Sequence, residues 1–119
     1  MREVSDSIIL PHYRSLKSSD IEEKSPGDLV TIADKLSEEM ISERLAMLIP
    51  NAKIVGEEAC AADPCLMDDL SAEQCWIIDP IDGTGNYARG DGAFGVIIAL
   101  TQNNETVAGW LYDLSLIHI

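Results

Sequence analysis

Basic residues are scarce in this chain. Eight lysines and arginines stand against 21 aspartates and glutamates, a formal net charge of −13 over 119 residues, which opposes sequence-independent attraction to a phosphate backbone or an anionic membrane surface. Nucleic-acid binding by bulk charge is therefore not expected. Histidine is rarer still, and His12 and His118 both lie far in sequence from the acidic clusters, so a histidine-activated nucleophile has no support. Cys60, Cys65 and Cys75 form no C-x-x-C pair and leave an odd count, which indicates neither a disulfide framework nor a zinc site; they read as reduced, buried thiols. No stretch reaches membrane-spanning length, and Met1 to Tyr13 mixes acidic residues and a proline with its apolar positions where a leader would have a basic end and an unbroken apolar run. A cytoplasmic protein without a membrane partner is expected. Walker A, H-E-x-x-H and G-x-S-x-G patterns are absent. The literal G-x-G-x-x-G from Gly90 to Gly95 leads into a strand sequence instead of opening a helix, and Asn104-Glu105-Thr106 is a chance sequon.

What is present is a folded composition, 46% hydrophobic and 24% charged, with no low-complexity tract and enough chain for one modest core. Val4, Ile8, Ile9, Tyr13 and Leu16 recur near helical spacing, with Pro11 inside them to bend the helix or mark a short first turn. Lys17 to Gly27 is polar, ends in Pro-Gly, and reads as a loop before Leu29-Val30-Thr31. A longer helix follows, its apolar stripe made of Ala33, Leu36, Met40, Ile41, Leu45 and Leu48 opposite Glu38, Glu39 and Glu43, and stopped at Pro50-Asn51. Lys53 to Val55 is a short strand; Ala59 to Gln74 has no clear period. Phe94 to Thr101 and Thr106 to Tyr112 flank Gln102-Asn103-Asn104-Glu105 as a hairpin. The pattern predicts an α+β architecture, helices packed on a largely antiparallel sheet.

Chemistry concentrates in W-I-I-D-P-I-D-G-T, from Trp76 to Thr84. Cys75 to Ile78 has the character of a buried strand, and it runs into two carboxylates three positions apart around a proline. Asp79 and Asp82 can converge on one hard cation, Gly83 lets the backbone come close to a ligand, and Thr84 offers a hydroxyl at the start of a helix. Glu57 and Glu58 also follow a strand and a glycine, so the acidic ends of two strands can meet at one sheet edge. Alone, a Glu-Glu pair would read as a solvated turn. Two or three carboxylates with a main-chain carbonyl suit magnesium, which keeps several waters; zinc would want His or Cys, and an EF-hand fails because Ile81 and Gly90 fall at ligand positions.

Lys24, then D-L-V-T-I-A-D from Asp28 to Asp34, then Gly56-Glu57-Glu58, then Trp76 to Thr84 with Asn86-Tyr87, in this order and spacing, resemble the inositol monophosphatase family of magnesium-dependent, lithium-sensitive phosphatases. The resemblance runs from about Ile8 to Asp113. It implies the layered sugar-phosphatase fold shared with fructose-1,6-bisphosphatase, and magnesium, or manganese in its place, as cofactor. Glu57, Asp79 and the main-chain carbonyl of Ile81 would hold a first metal, and Asp79 with Asp82 a second. Asp82, Gly83 and Thr84 would receive the substrate phosphate. Thr84 would also orient the attacking water, with Asp34 hydrogen-bonded to its hydroxyl and Glu57 polarising that water; Lys24 and Glu58 would support the site.

Two departures accompany the resemblance. Members of the family are more than twice this length, and their second half supplies a W-D-type motif that completes the second metal site, which this chain lacks. The last strand gives way at Leu114 to a tail, 114–119, foreign to the family pattern; Gly85 is a milder deviation. The expectation is thus residues 1–113 as the N-terminal part of the domain, with weak or no activity alone. Myo-inositol 1-phosphate, 3′-phosphoadenosine 5′-phosphate, fructose 1,6-bisphosphate and histidinol phosphate all remain open as the small phosphorylated substrate. A homodimer is compatible with a complete protein, and the rival expectation is a non-enzymatic metal-binding or partner-dependent subunit.

Overall fold

The computed structural model describes residues 1–25 and 28–114. The chain opens with a helical stretch built from α1 (Arg2–Val4), a widened π-helical turn (Ser5–Ile9) and α2 (Leu10–His12). Leu10 N–H reaches back to the Ser5 carbonyl, so the helix loosens just ahead of Pro11, which lacks an amide hydrogen to donate. It ends at His12 and does not continue to Leu16: Tyr13 is already extended at φ −63° and ψ 126°. Val4 and Ile9 are buried in the core.

The segment expected as a loop holds structure. After a 3-10 turn at Ser18–Asp20, β1 (Ile21–Ser25) pairs antiparallel with β2 (Asp28–Thr31), Ile21 opposite Thr31 and Glu22 opposite Val30. A two-stranded ribbon with glutamates facing solvent needs no apolar run, which is why its sequence reads as polar loop. Thr31 then caps α3 (Ile32–Leu48), its hydroxyl 3.3 Å from the Asp34 amide while the Asp34 carboxylate accepts from the Thr31 amide at 2.7 Å.

The face that α3 buries differs from the expected stripe. Ala33, Asp34, Ser37, Glu38, Ile41 and Leu45 are inward, whereas Leu36 is 37% and Leu48 70% exposed. Glu38 therefore sits on the core side, not opposite it, because backbone amides across the interface satisfy its carboxylate.

The main sheet has the order β3-β4-β5-β6, with β3 (Lys53–Gly56), β4 (Gln74–Asp82), β5 (Gly95–Gln102) and β6 (Glu105–Asp113). β3 and β4 are parallel, joined by α4 (Glu57–Ala62) and a 3-10 run at Pro64–Ser71, and these fill the region that showed no period in sequence. β4–β5 and β5–β6 are antiparallel. β4 is longer than the apolar run that announces it, continuing through both aspartates with one bulged residue between Asp79 and Asp82, where Pro80 can sit without a ladder hydrogen bond. The β5–β6 turn uses Asn103 and Asn104 at φ 51° and 69°, the left-handed pair that a tight hairpin requires.

The core lies between α3, the N-terminal helical stretch and the sheet, with Trp76, Ile78, Val96 and Ile98 among its buried members. Tyr87, on α5 (Thr84–Arg89), is fully buried against Tyr13 and Phe94 and donates to the Ile9 carbonyl at 2.6 Å. Leu114 is also buried, its amide bonded to the Phe94 carbonyl, while 115–119 lie outside the described residues. All three cysteines are free, but only Cys75 is buried; Cys60 is half-buried and Cys65 exposed because the 3-10 run carries it on the surface. No helix among the described residues is long and apolar enough to cross a membrane.

Candidate active site

Parallel pairing of β3 and β4 brings the two acidic motifs together. Gly56 lies opposite Ile78, so the residues that follow, Glu57 at the start of α4 and Asp79 within β4, come side by side where β3 ends. Their carboxyl groups share a hydrogen bond. Burial, then the Glu57 hydrogen bond and charge, then Asp82 and Asp34, push the Asp79 carboxyl up to about 8 from an ordinary value near 3.8. Asp79 Oδ1 is buried without a hydrogen-bond partner among the described residues. An acceptor-only oxygen in that position calls for a donor or a cation.

The second half of the cluster is built on the turn into α5. Gly83 adopts φ 85°, and a Cβ there would press within 2.5 Å of the Ala93 carbonyl oxygen, so the position needs glycine for both conformation and space. The turn delivers the Thr84 hydroxyl 2.9 Å from Asp34 Oδ1 and 2.9 Å from the Ile81 carbonyl; its single proton serves one of them at a time. The other Asp34 oxygen accepts from both the amide and the hydroxyl of Thr31, each at 2.7 Å. Asp34 is completely buried, and that burial raises its carboxyl above the ordinary range against the lowering effect of the bonds from Thr31 and Thr84. Asp82 is exposed beside Gly83.

Glu57, Asp79, Asp34, Thr84 and the Ile81 carbonyl thus fall into one connected region. Glu58 lines a hollow with Glu22, Lys35 and Glu38, and Glu57 and Asp79 border one with Cys60, Met67 and Ile77. The Lys24 side chain lies outside the described residues. Glu38 is the component that the sequence reading misses; its oxygens accept from the Glu58 and Ala59 amides, each at 2.8 Å. The available signal was its place four residues after Asp34, on the row that continues through Ile41 and Leu45.

Among the described residues no three carboxylate, imidazole or thiol side chains close into a cage. The donors present are hard oxygens, one of them an unpartnered buried carboxylate atom, crowded by like charge. That chemistry fits a magnesium-type cation that keeps much of its water.

The fold is α+β with carboxylates gathered at strand ends beside a glycine turn and a helix start, and the sequence pattern of the Inositol monophosphatase family matches residues 4–117. The chain belongs to that family. It is 42% identical over 105 residues to an inositol monophosphatase of Dictyostelium discoideum, covering 88% of this chain and 37% of the relative. A fructose-1,6-bisphosphatase/inositol-1-monophosphatase of Aquifex aeolicus is 35% identical over 105 residues, covering 88% and 38%. The solved Thermotoga maritima IMPase superposes with a TM-score of 0.78 at 27% identity, over 98% of this chain and 42% of that one. The chain spans about two fifths of the length of the relatives it matches.

Proposed function

We propose that this chain carries the metal- and phosphate-binding part of a magnesium-dependent phosphomonoesterase, corresponding through residue 113 to the N-terminal part of an inositol-monophosphatase-like domain. The juxtaposition of Glu57 with Asp79, whose Oδ1 has no hydrogen-bond partner among the described residues, carries the reading. Glu57, Asp79 and the Ile81 carbonyl would hold a first cation, with Asp79 and Asp82 offering oxygens to a second. The bound cation would supply positive charge to the phosphate and lower the pKa of a water. Gly83 would let a phosphate oxygen approach the backbone, and Thr84, fixed by Asp34, would orient the attacking water that Glu57 is placed to polarise. With water as the nucleophile no covalent phosphoenzyme is needed.

An inositol phosphate is the substrate class favoured by kinship, and the Aquifex relative's double name keeps a sugar bisphosphate beside it. Sensitivity to lithium belongs to the same reading. The rival is a metal-binding or partner-dependent subunit without turnover. Calorimetric titration with Mg2+ or Mn2+ tests the site: the chain should bind, and Asp79→Asn should lose binding. Undiminished binding by the variant would place the cation elsewhere. Phosphate release from inositol 1-phosphate separates the enzyme from the rival.

A further inference from the structure

We propose that Glu38 is a positioning residue that aims Glu57 at the metal site, an inference that rests on the reading of Glu57 as a ligand. α4 has no side chain of its own to cap it, because the residue before its first turn is Gly56. The cap comes instead from α3. Glu38, 7% exposed, places Oε1 on the Glu58 amide and Oε2 on the Ala59 amide, both at 2.8 Å. A Cβ at position 56 would overlap that carboxylate, so Gly56 and Glu38 occupy complementary space.

Glu57 is therefore held between two pinned points. On one side Gly56 is fixed by its pairing with Ile78 in the sheet; on the other the next two amides are clamped by a buried carboxylate. With the backbone set at both neighbours, the Cα–Cβ bond of Glu57 has one direction available, beside Asp79. Two charge-assisted bonds to a buried anion make a firm clamp. Glutamine at position 38 would keep the volume but offer one acceptor oxygen for two amides, and would turn its own donor nitrogen against the second.

A purely stabilising cap would alter melting and leave cation affinity alone. A positioning residue alters affinity through Glu57. The test is calorimetric Mn2+ titration of the chain as wild type, Glu38→Gln, Glu57→Gln and the double variant, each checked for a folded circular dichroism spectrum. Glu38→Gln should weaken binding about 10- to 100-fold, as loss of a residue supporting a metal ligand does, and the double variant should bind no more weakly than Glu57→Gln. Gly56→Ala, which displaces the same carboxylate without changing charge, should weaken binding comparably and decides the matter should Glu38→Gln not fold. Wild-type affinity in Glu38→Gln, or losses that simply add in the double variant, would overturn the positioning role and leave the site reading intact. A wild-type chain that fails to bind, or a Glu57→Gln chain that binds as well as wild type, would remove the site reading and this proposal together.

Discussion

Glu57 and Asp79 meet across two parallel strands and share a hydrogen bond, the contact through which the fold concentrates negative charge at one point. It has a pH consequence. Asp79 in the folded chain holds its proton to about 8, whereas the unfolded chain releases it near 3.8. Its contribution to stability is complete below the unfolded value and is lost as pH rises through about 8. The cation-free chain should accordingly lose melting temperature across that window, and Asp79→Asn should flatten this part of the profile. Added Mg2+ should recover stability most at the alkaline end, where the cation no longer competes with the proton. Thermal melts of both proteins between pH 4 and 8, with and without Mg2+, would measure this; identical profiles for the two would remove Asp79 as the source.

Thr84 joins the buried Asp34 to the Ile81 carbonyl. Thr84→Ala should cost the chain about 1 kcal/mol by denaturant titration, the ordinary worth of such a bond. In a protein extended to the relatives' length, the same variant should lower turnover by about tenfold or more with the fold intact. Wild-type turnover would exclude the assigned role in holding water.

Tyr87 gives a prediction independent of the site. Its hydroxyl is buried and donates to the Ile9 carbonyl, tying α5 to the N-terminal helical stretch; burial raises its pKa further above the ordinary phenol range. Tyr87→Phe keeps the ring contacts with Tyr13 and Phe94 but leaves that carbonyl unbonded, at a cost of roughly 1–3 kcal/mol. Urea unfolding should show a lower midpoint with an unchanged slope. A stability equal to wild type would mean water reaches Ile9.

The chemistry of the site was legible because it is local: an apolar run, two aspartates, a glycine and a threonine occupy consecutive positions from Trp76 to Thr84. The hairpin after Phe94 was legible for the same reason, its asparagine pair advertising the turn. The parallel pairing that sets Glu57 beside Asp79 joins residues far apart in sequence, and came within reach only because both motifs end a strand in acid. β1 was hidden, since a solvated ribbon has no apolar signature. Glu38 was hidden because a polar-versus-apolar reading assigns every carboxylate to solvent, while here two backbone amides make burial tolerable. The continuation of β4 through Pro80 was masked by a bulge that no residue pattern announces.

β6 carries the last prediction. It is an edge of the described sheet, and Val107, Trp110 and Leu111 along it are 54%, 43% and 66% exposed. Leu111 pairs with Ile97, which pairs with Asp79, so the three lie in one cross-strand row on one face of the sheet. An edge strand with open backbone groups and apolar side chains is a template for further pairing. The charge of −13 opposes association at low salt, and salt screens it. The chain should thus self-associate with rising concentration and ionic strength, seen as a growing weight-average mass in sedimentation equilibrium. Val107→Lys, which sets a charge on the exposed edge at the end of β6 remote from Asp82, should hold it monomeric under the same conditions. A wild-type chain that stays monomeric at high salt and binds no hydrophobic dye would show that this edge is protected.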